Sequence, residues 1–471
     1  MPPKRRQPRP PDPEPEPPRP ASPPPDRDGD QSPSEEEDDS IAEHSPLPFY
    51  NTTFSAHRVS PLYLGAESLT TNRLQILAQR LRDRLVGDVV RGVEVGVQAA
   101  DREDSMIGRA GALERVEIAW VGLADVLGFS GEDVENSEAE DVEDGDGTTG
   151  WRQAVRAGEL REKRALHISL RYEMASCTAL MLPALLGDGK KSGVEGATTR
   201  FSVGGGADEM DWEHSVDPTH FLSLPLLLLR MPAPLKTIIG EFLSTTFDCR
   251  VSPMRLGTRS LVRSWEAWIR SAGLPSRGPL AKDMVLTLGF YISPSDPVPT
   301  QPSEEDAAAE QQQPLGLKSI DVIIPATELG KFATAGKRVA KTQGKQTASP
   351  TGWGWDNDPK KRRKLAGRLY EEGWEWRTAS PEGRPPEHQP FTEALACYLK
   401  EHLGLNLFHP SVRVIKIACG GFAMSESRLK LFAPAGSGDA EGEGLPLLAQ
   451  RGAVLELLGR LADKAQITVS V

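Results

Sequence analysis

Proline and acidic residues are segregated along this 471-residue chain, and that segregation decides how much of it can fold. Residues 1–47 alternate Pro with charge and end in the run SPSEEEDDS. Such a stretch has too little apolar surface to offset chain entropy, so it reads as a disordered tail. Four more polar stretches interrupt the sequence: an acidic insertion at 130–147, a polar one at 187–217, a Pro/Glu/Gln linker at 293–316, and an insertion at 341–388 that carries basic residues and Trp. Between them lie an N-terminal α/β domain, 48–292, and a C-terminal α/β domain, 317–471.

The net charge of −12 is as uneven as the proline. Residues 1–47 carry −6, 130–147 carry −9, 303–310 carry −4 and 436–443 carry −3, which leaves the rest of the chain near +10. The folded surface is therefore expected to be basic, although the whole chain is acidic. Cys177, Cys249, Cys397 and Cys419 are widely separated, and no signal peptide is recognised. This predicts a reducing, intracellular setting. The longest apolar run, FLSLPLLLLRM at 221–231, is too short to span a bilayer and contains Pro225, so no membrane partner is expected.

Periodicity predicts an α+β fold, antiparallel sheets flanked by helices in two β-rich lobes. Leu74, Leu77, Leu81 and Leu85 form a helical stripe, capped by Thr70 or Thr71 and closed by Gly87. Strands are predicted at 89–97, 116–123, 166–172, 284–292, 319–324, 412–417 and 428–432, with FLSLPLLLL also strand-like. Helices are predicted at 234–247, 259–271, 391–403 and around Val454 to Leu461. In the final QITVSV, Ile467, Val469 and Val471 face one way and the polar residues the other, as in a half-buried strand.

Catalytic and metal chemistry find little support. His167, His214, His220, His402 and His409 have no ligand spacing, and DGDG at 144–147 lacks the loop-closing Glu of a calcium site. GGGADE at 204–209 lacks the GK[ST] end of a phosphate loop, and there is no GxSxG. No cofactor and no enzymatic activity are expected; an ordered pocket holding a strongly perturbed carboxylate or His would reopen the question. Two positive signals remain. The run Lys360, Lys361, Arg362, Arg363, Lys364 suits nuclear import or contact with a polyanion, and Arg413, Lys416, Arg428 and Lys430 interleave with apolar residues, so one sheet face would be basic and the other core. The latter keeps open a direct DNA- or RNA-binding module.

Several blocks, taken in order, resemble the centromere protein L family. YNTTFSAHRVSPLYLG (50–65) is similar to that family's opening strand, and LPLLLLRMPAPLKTIIGEFLSTTFDCRVSP (224–253) to its apolar strand, helix and TFDC turn. The Trp265/Trp268 helix, IDVIIPATELGKF, VRVIKI and RLKLF follow in the same order. The resemblance implies a non-enzymatic subunit of the inner kinetochore, located in the nucleus at the centromere, that serves chromosome segregation and cell division. It further implies a heterodimer with a centromere protein N-like subunit, other inner-kinetochore partners, contact with the centromeric nucleosome or its DNA, and a homodimer in some members. A terminal edge strand would serve such pairing, because it offers unpaired backbone groups. The residues expected at the partner interface are Ile467, Val469 and Val471, with Val414 and Ile415 of VRVIKI; QITVSV reads equally as an ordinary core strand.

Overall fold

The computed structural model describes residues 49–90, 111–128, 160, 163–185, 220–275, 281–291, 317–343, 371–377, 388–434 and 444–466. The opening strand β1 (Thr53–Val59) and the apolar strand β7 (Leu226–Arg230) pair antiparallel at the centre of one eleven-stranded sheet. Outward from β7 come β5 (Ser176–Leu182), β4 (Arg164–Tyr172) and the edge strand β3 (Leu113–Gly122). On the other side of β1 come β13 (Arg428–Leu431), β12 (Phe422–Ser425), β11 (Val412–Ala418), β9 (Met284–Phe290) and the second edge, β10 (Ser319–Ile324). Short β8 (Val251–Pro253) pairs with the last residues of β1, beyond the stretch that meets β13. A separate ribbon joins β2 (Leu62–Tyr63) to β6 (Phe221–Leu222). The stretches 48–292 and 317–471 thus share one sheet, through the β13–β1 pair and through β9, which pairs with both β10 and β11.

The run LLLL in β7 explains why the centre of the sheet sits where it does. Successive strand residues face opposite ways, so an unbroken apolar run demands cover on both faces. Leu227 and Leu229 join a core with α1 (Thr71–Val90) and α3 (Ala233–Phe247). Leu226 and Leu228 join a second core with α2 (Leu123–Leu127), α4 (Thr258–Ala272), α6 (Pro390–Leu403) and α7 (Gly444–Gln466). The remaining helix among the described residues, α5 (Ala326–Gln343), packs on α6. All four leucines are buried; burying each stabilises the fold by roughly 1.5–3 kcal/mol.

The predicted strands at 116–123, 166–172, 319–324, 412–417 and 428–432 form with small shifts of their ends, as do the helices predicted at 234–247, 259–271 and 391–403. Two boundaries differ. Helix α7, expected around Val454 to Leu461, runs over Gly444–Gln466, so Gln466, read as the start of a strand, is its last residue. Helix α1 is capped by Thr70, whose Oγ1 accepts from Arg73 N at 3.4 Å, but it does not stop at Gly87. Residues 89 and 90, predicted to open a strand, are its last turn, and 91–97 lie outside the described residues. A glycine inside a helix costs only about 1 kcal/mol, which the packed leucine stripe of α1 offsets. Helix α6 does end as expected, at Gly404 with φ +64°, a conformation that favours glycine.

Part of the stretch 341–388 belongs to the core. Trp374 and Trp376 are buried, stacked on each other with ring centroids 6.0 Å apart, and Trp374 meets Phe408 edge-to-face at 5.0 Å. They anchor a short 3₁₀ turn, 375–377, beneath α4 and α6, where Arg377 pairs with Glu393 at 2.8 Å and lies 3.8 Å over the Phe408 ring. Beside this pair the buried Glu266 accepts from both the backbone N–H and the hydroxyl of Thr392, each at 2.8 Å, and so caps the first turn of α6. Burial raises the Glu266 carboxyl above the usual carboxylate range, and these hydrogen bonds oppose the rise.

Candidate partner-binding surface

The two edges of the sheet differ chemically. Strand β3 carries a bulge between Leu113 and Arg115, ion pairs Arg115–Glu117 and Arg171–Glu114, and α1 across its face. Charge and bulges are the usual guards against strand addition. Strand β10 has neither a bulge nor an ion pair among the described residues, and Ile323 stands 62% exposed on it, with Leu317 just before it 61% exposed. Its inner side is fully used by β9. Phe290 N donates to Lys318 O at 3.1 Å, and from that pair the antiparallel alternation places the N–H groups of 320, 322 and 324 towards β9 and those of Ser319, Asp321 and Ile323 outward.

The face next to this edge is the basic one. Val412, Val414 and Ile417 of β11, and Leu429 and Leu431 of β13, enter the core, so the intervening residues point the other way. Lys416 lies between Thr287 and Ser425, Lys430 between Ala423 and Thr53, and Arg428 opposite Ser55. Thr287 Oγ1 hydrogen-bonds Asp321 Oδ1 at 2.6 Å, so the row continues onto β10. Lys430 and Lys282 both lie over the Phe432 ring, at 5.4 and 5.2 Å, which holds their ammonium groups at this surface.

Arg413 turns instead to a groove of about 640 Å³ that opens where β11 separates from β12. Arg413 pairs with Glu372 at 3.2 Å and lies 4.0 Å over the Tyr291 ring. Behind it Thr258, fully buried at the start of α4, accepts from Val414 N at 3.0 Å and donates to Glu372 O at 2.5 Å. The hydroxyl thus replaces a missing ladder bond. Val414 itself is core, 4% exposed, whereas Ile415, 39% exposed, is the extra residue of a β-bulge and lies against Gly289. A side chain at 289 would meet the end of the Ile415 side chain and require it to move. Arg58, Arg255 and Lys464 complete the cationic lining. Burial and the neighbouring Arg58, Arg259 and Arg263 push the Lys464 ammonium down to about 8, and Glu371 contacts it directly.

Of the residues singled out in the sequence, the structure brings Arg413, Val414 and Ile415 to one end of β11 and sets Lys416, Arg428 and Lys430 on one face. Ile467, Val469 and Val471, and the run 360–364, lie outside the described residues. Sequence reasoning missed Arg58, Arg255, Lys464, Glu371 and Glu372, which are far apart in the chain. The buried thiols of Cys177, Cys249 and Cys419 are each pushed up to about 11 by burial, so they stay protonated and inert at neutral pH. Among the described residues there is no cluster able to hold a metal ion and no helix long and apolar enough to cross a membrane.

A broad antiparallel sheet with one open edge, a basic face and a charged groove defines an α+β platform built to present surface. The sequence model of one family, centromere protein L, matches residues 48–466, and the chain belongs to that family. Its place is therefore the inner kinetochore, at the centromere in the nucleus, where it serves chromosome segregation in cell division. No curated protein matches the chain in a direct sequence comparison.

Proposed function

We propose that this chain is a non-enzymatic scaffold subunit that pairs with a centromere protein N-like partner by adding a partner strand to the C-terminal half of its sheet. The open β10 edge carries this reading. It offers alternate backbone donors to a partner strand, and the exposed Ile323 fixes the register. The alternating tail Ile467, Val469, Val471 is a second edge candidate. The buried titratable groups favour the non-enzymatic reading: Glu266 is enclosed as a helix cap, the buried thiols are inert, and Lys464 is held by Glu371.

The test is co-purification of the full chain with a centromere protein N-like subunit, using Ile323→Pro and Val469→Asp. Ile323→Pro removes one outward N–H and leaves the β9 ladder intact. Loss of the partner with Ile323→Pro and an unchanged melting curve supports the reading; full retention in both variants refutes strand addition. A second reading, direct contact with DNA, is favoured by Lys416, Arg428 and Lys430 on one face. Phosphate contacts weaken steeply with salt and a strand interface does not, so Lys416→Glu with Lys430→Glu would lower both DNA affinity and its salt slope.

A further inference from the structure

The alternation of β1 puts an arginine where its neighbours are apolar. Phe54 and Ala56 enter the core covered by α4 and α7, and Arg58, two residues further on, points the same way. At that level it is paired with Leu226 of β7 on one side and Ser252 of β8 on the other. Arg58 lines the groove beside β11 together with Arg255, Arg413 and Lys464. Each of the other three has a carboxylate: Glu371 for Lys464, Glu372 for Arg413, and Glu426 for Arg255 at 4.0 Å. Arg58 makes no ion pair and no side-chain hydrogen bond among the described residues, and its Nε is buried. A guanidinium taken from water with no anion beside it carries an uncompensated desolvation cost. Burial and, after it, the charge of Arg58 hold the Lys464 ammonium down to about 8, as expected of two cations facing the same groove.

We propose that this groove binds a phosphorylated Ser or Thr side chain on a short peptide of a partner protein, with Arg58 as the anchor. A phosphate carries roughly 1.5–2 negative charges at neutral pH and three acceptor oxygens. Arg58 offers it a planar fork of donors. Arg255, 72% exposed and held by Glu426 only at 4.0 Å, turns onto the same group, and Lys464 adds its charge while staying on Glu371. A carboxylate would satisfy Arg58 with a single charge and leave Lys464 still opposed by the other cations. Size selects a peptide over a free ion. The groove's 640 Å³ matches a ligand of several residues, and Pro253, Leu256 and Ile415 give apolar surface to the residues that flank the phosphate. A nucleic-acid duplex is too wide to enter and meets Lys416 and Lys430 on the outer face instead. None of the lining residues belongs to β10, so this site stands independently of strand addition.

The experiment titrates a fluorescent peptide, Ala-Leu-phosphoSer-Leu-Ala, with the full chain and reads anisotropy. The site predicts saturable binding, about tenfold or more tighter than for the same peptide with unmodified Ser. Arg58→Gln should weaken the phosphopeptide about tenfold, and Arg58→Lys, which keeps the charge but loses the fork, should recover only part of that loss. Because Arg58 lies in the central sheet, Arg255→Gln, at an exposed side chain, provides a second variant that leaves the fold intact and should also weaken binding. Amide hydrogen exchange with the phosphopeptide bound should show new protection at 253–258 and 413–415. Equal affinity for the phosphorylated and unmodified peptides, or binding unchanged in both Arg58→Gln and Arg255→Gln, would overturn the proposal. So would displacement of the phosphopeptide by duplex DNA, or competition by inorganic phosphate at the peptide's own concentration.

Discussion

Replacing Trp374 by Ala tests whether residues 371–377 are structural and whether they assemble the groove. The side chain is 2% exposed, meets Phe408 edge-to-face at 5.0 Å and stacks on Trp376. Truncating a buried Trp removes its transfer free energy and leaves a cavity, together about 3–5 kcal/mol. The aromatic contacts contribute about 0.5–1.5 kcal/mol more, offset in part because Trp374 Nε1 is buried without a hydrogen bond, a cost of about 1–3 kcal/mol that the variant escapes. The net expectation is about 3–4 kcal/mol lost from the unit that holds α4 and α6. Urea unfolding followed by Trp fluorescence reads this as a lower midpoint, with Trp374→Phe losing less than half as much. The effect should also reach the groove, because Glu371 and Glu372 adjoin the anchor and supply counter-charges to Lys464 and Arg413. A loss below about 1 kcal/mol, within the range of surface substitutions, would show that 371–377 merely lies on the core and would refute the reasoning.

Three further outcomes follow from single sites. Thr258→Val keeps the shape but leaves Val414 N and Glu372 O unpaired, and should cost about 1–3 kcal/mol in chemical unfolding. His167 is held down to about 4 by burial, so it folds neutral and charges more readily when unfolded. The unfolded state therefore binds more protons between pH 6.5 and about 4, and stability should fall as pH is lowered through that window; melting curves of His167→Phe should lack this part of the pH dependence. Gly289→Val places a side chain against Ile415 at the bulge and should lower stability in urea unfolding by about 1–3 kcal/mol, with Gly289→Ala less affected.

Much of the fold is readable where one element's own pattern decides it. The 3.6-residue stripe of α1, the Trp265/Trp268 face of α4 and the alternation of β11 and β13 all follow from local burial. The α+β class follows from them. What local pattern does not carry is pairing. Nothing near Phe54 or Leu429 announces that β1 and β13 are neighbours, yet that contact, together with the pairing of β9 to β10 and β11, joins both parts of the chain into one sheet. The groove is illegible for the same reason. Arg58, Arg255, Glu371 and Lys464 come from four distant segments, and each looks like a solvated charge in its own sequence context. Trp374 and Trp376 did carry a signal, because two tryptophans in a polar stretch are more often buried than idle. Gly87 misled, since tertiary packing overrides a helix-stop signal of about 1 kcal/mol.

The central claim, that β10 receives a partner strand, is tested most directly by residue-resolved amide hydrogen exchange on the full chain with and without a centromere protein N-like subunit. In the free protein the N–H groups of 320, 322 and 324 are bonded to β9 and should exchange slowly, while those of Ser319, Asp321 and Ile323 point outward and should exchange fast. Strand addition predicts that complex formation protects these three alternate amides. Formation of the complex with all three still exchanging at their free rates would contradict it.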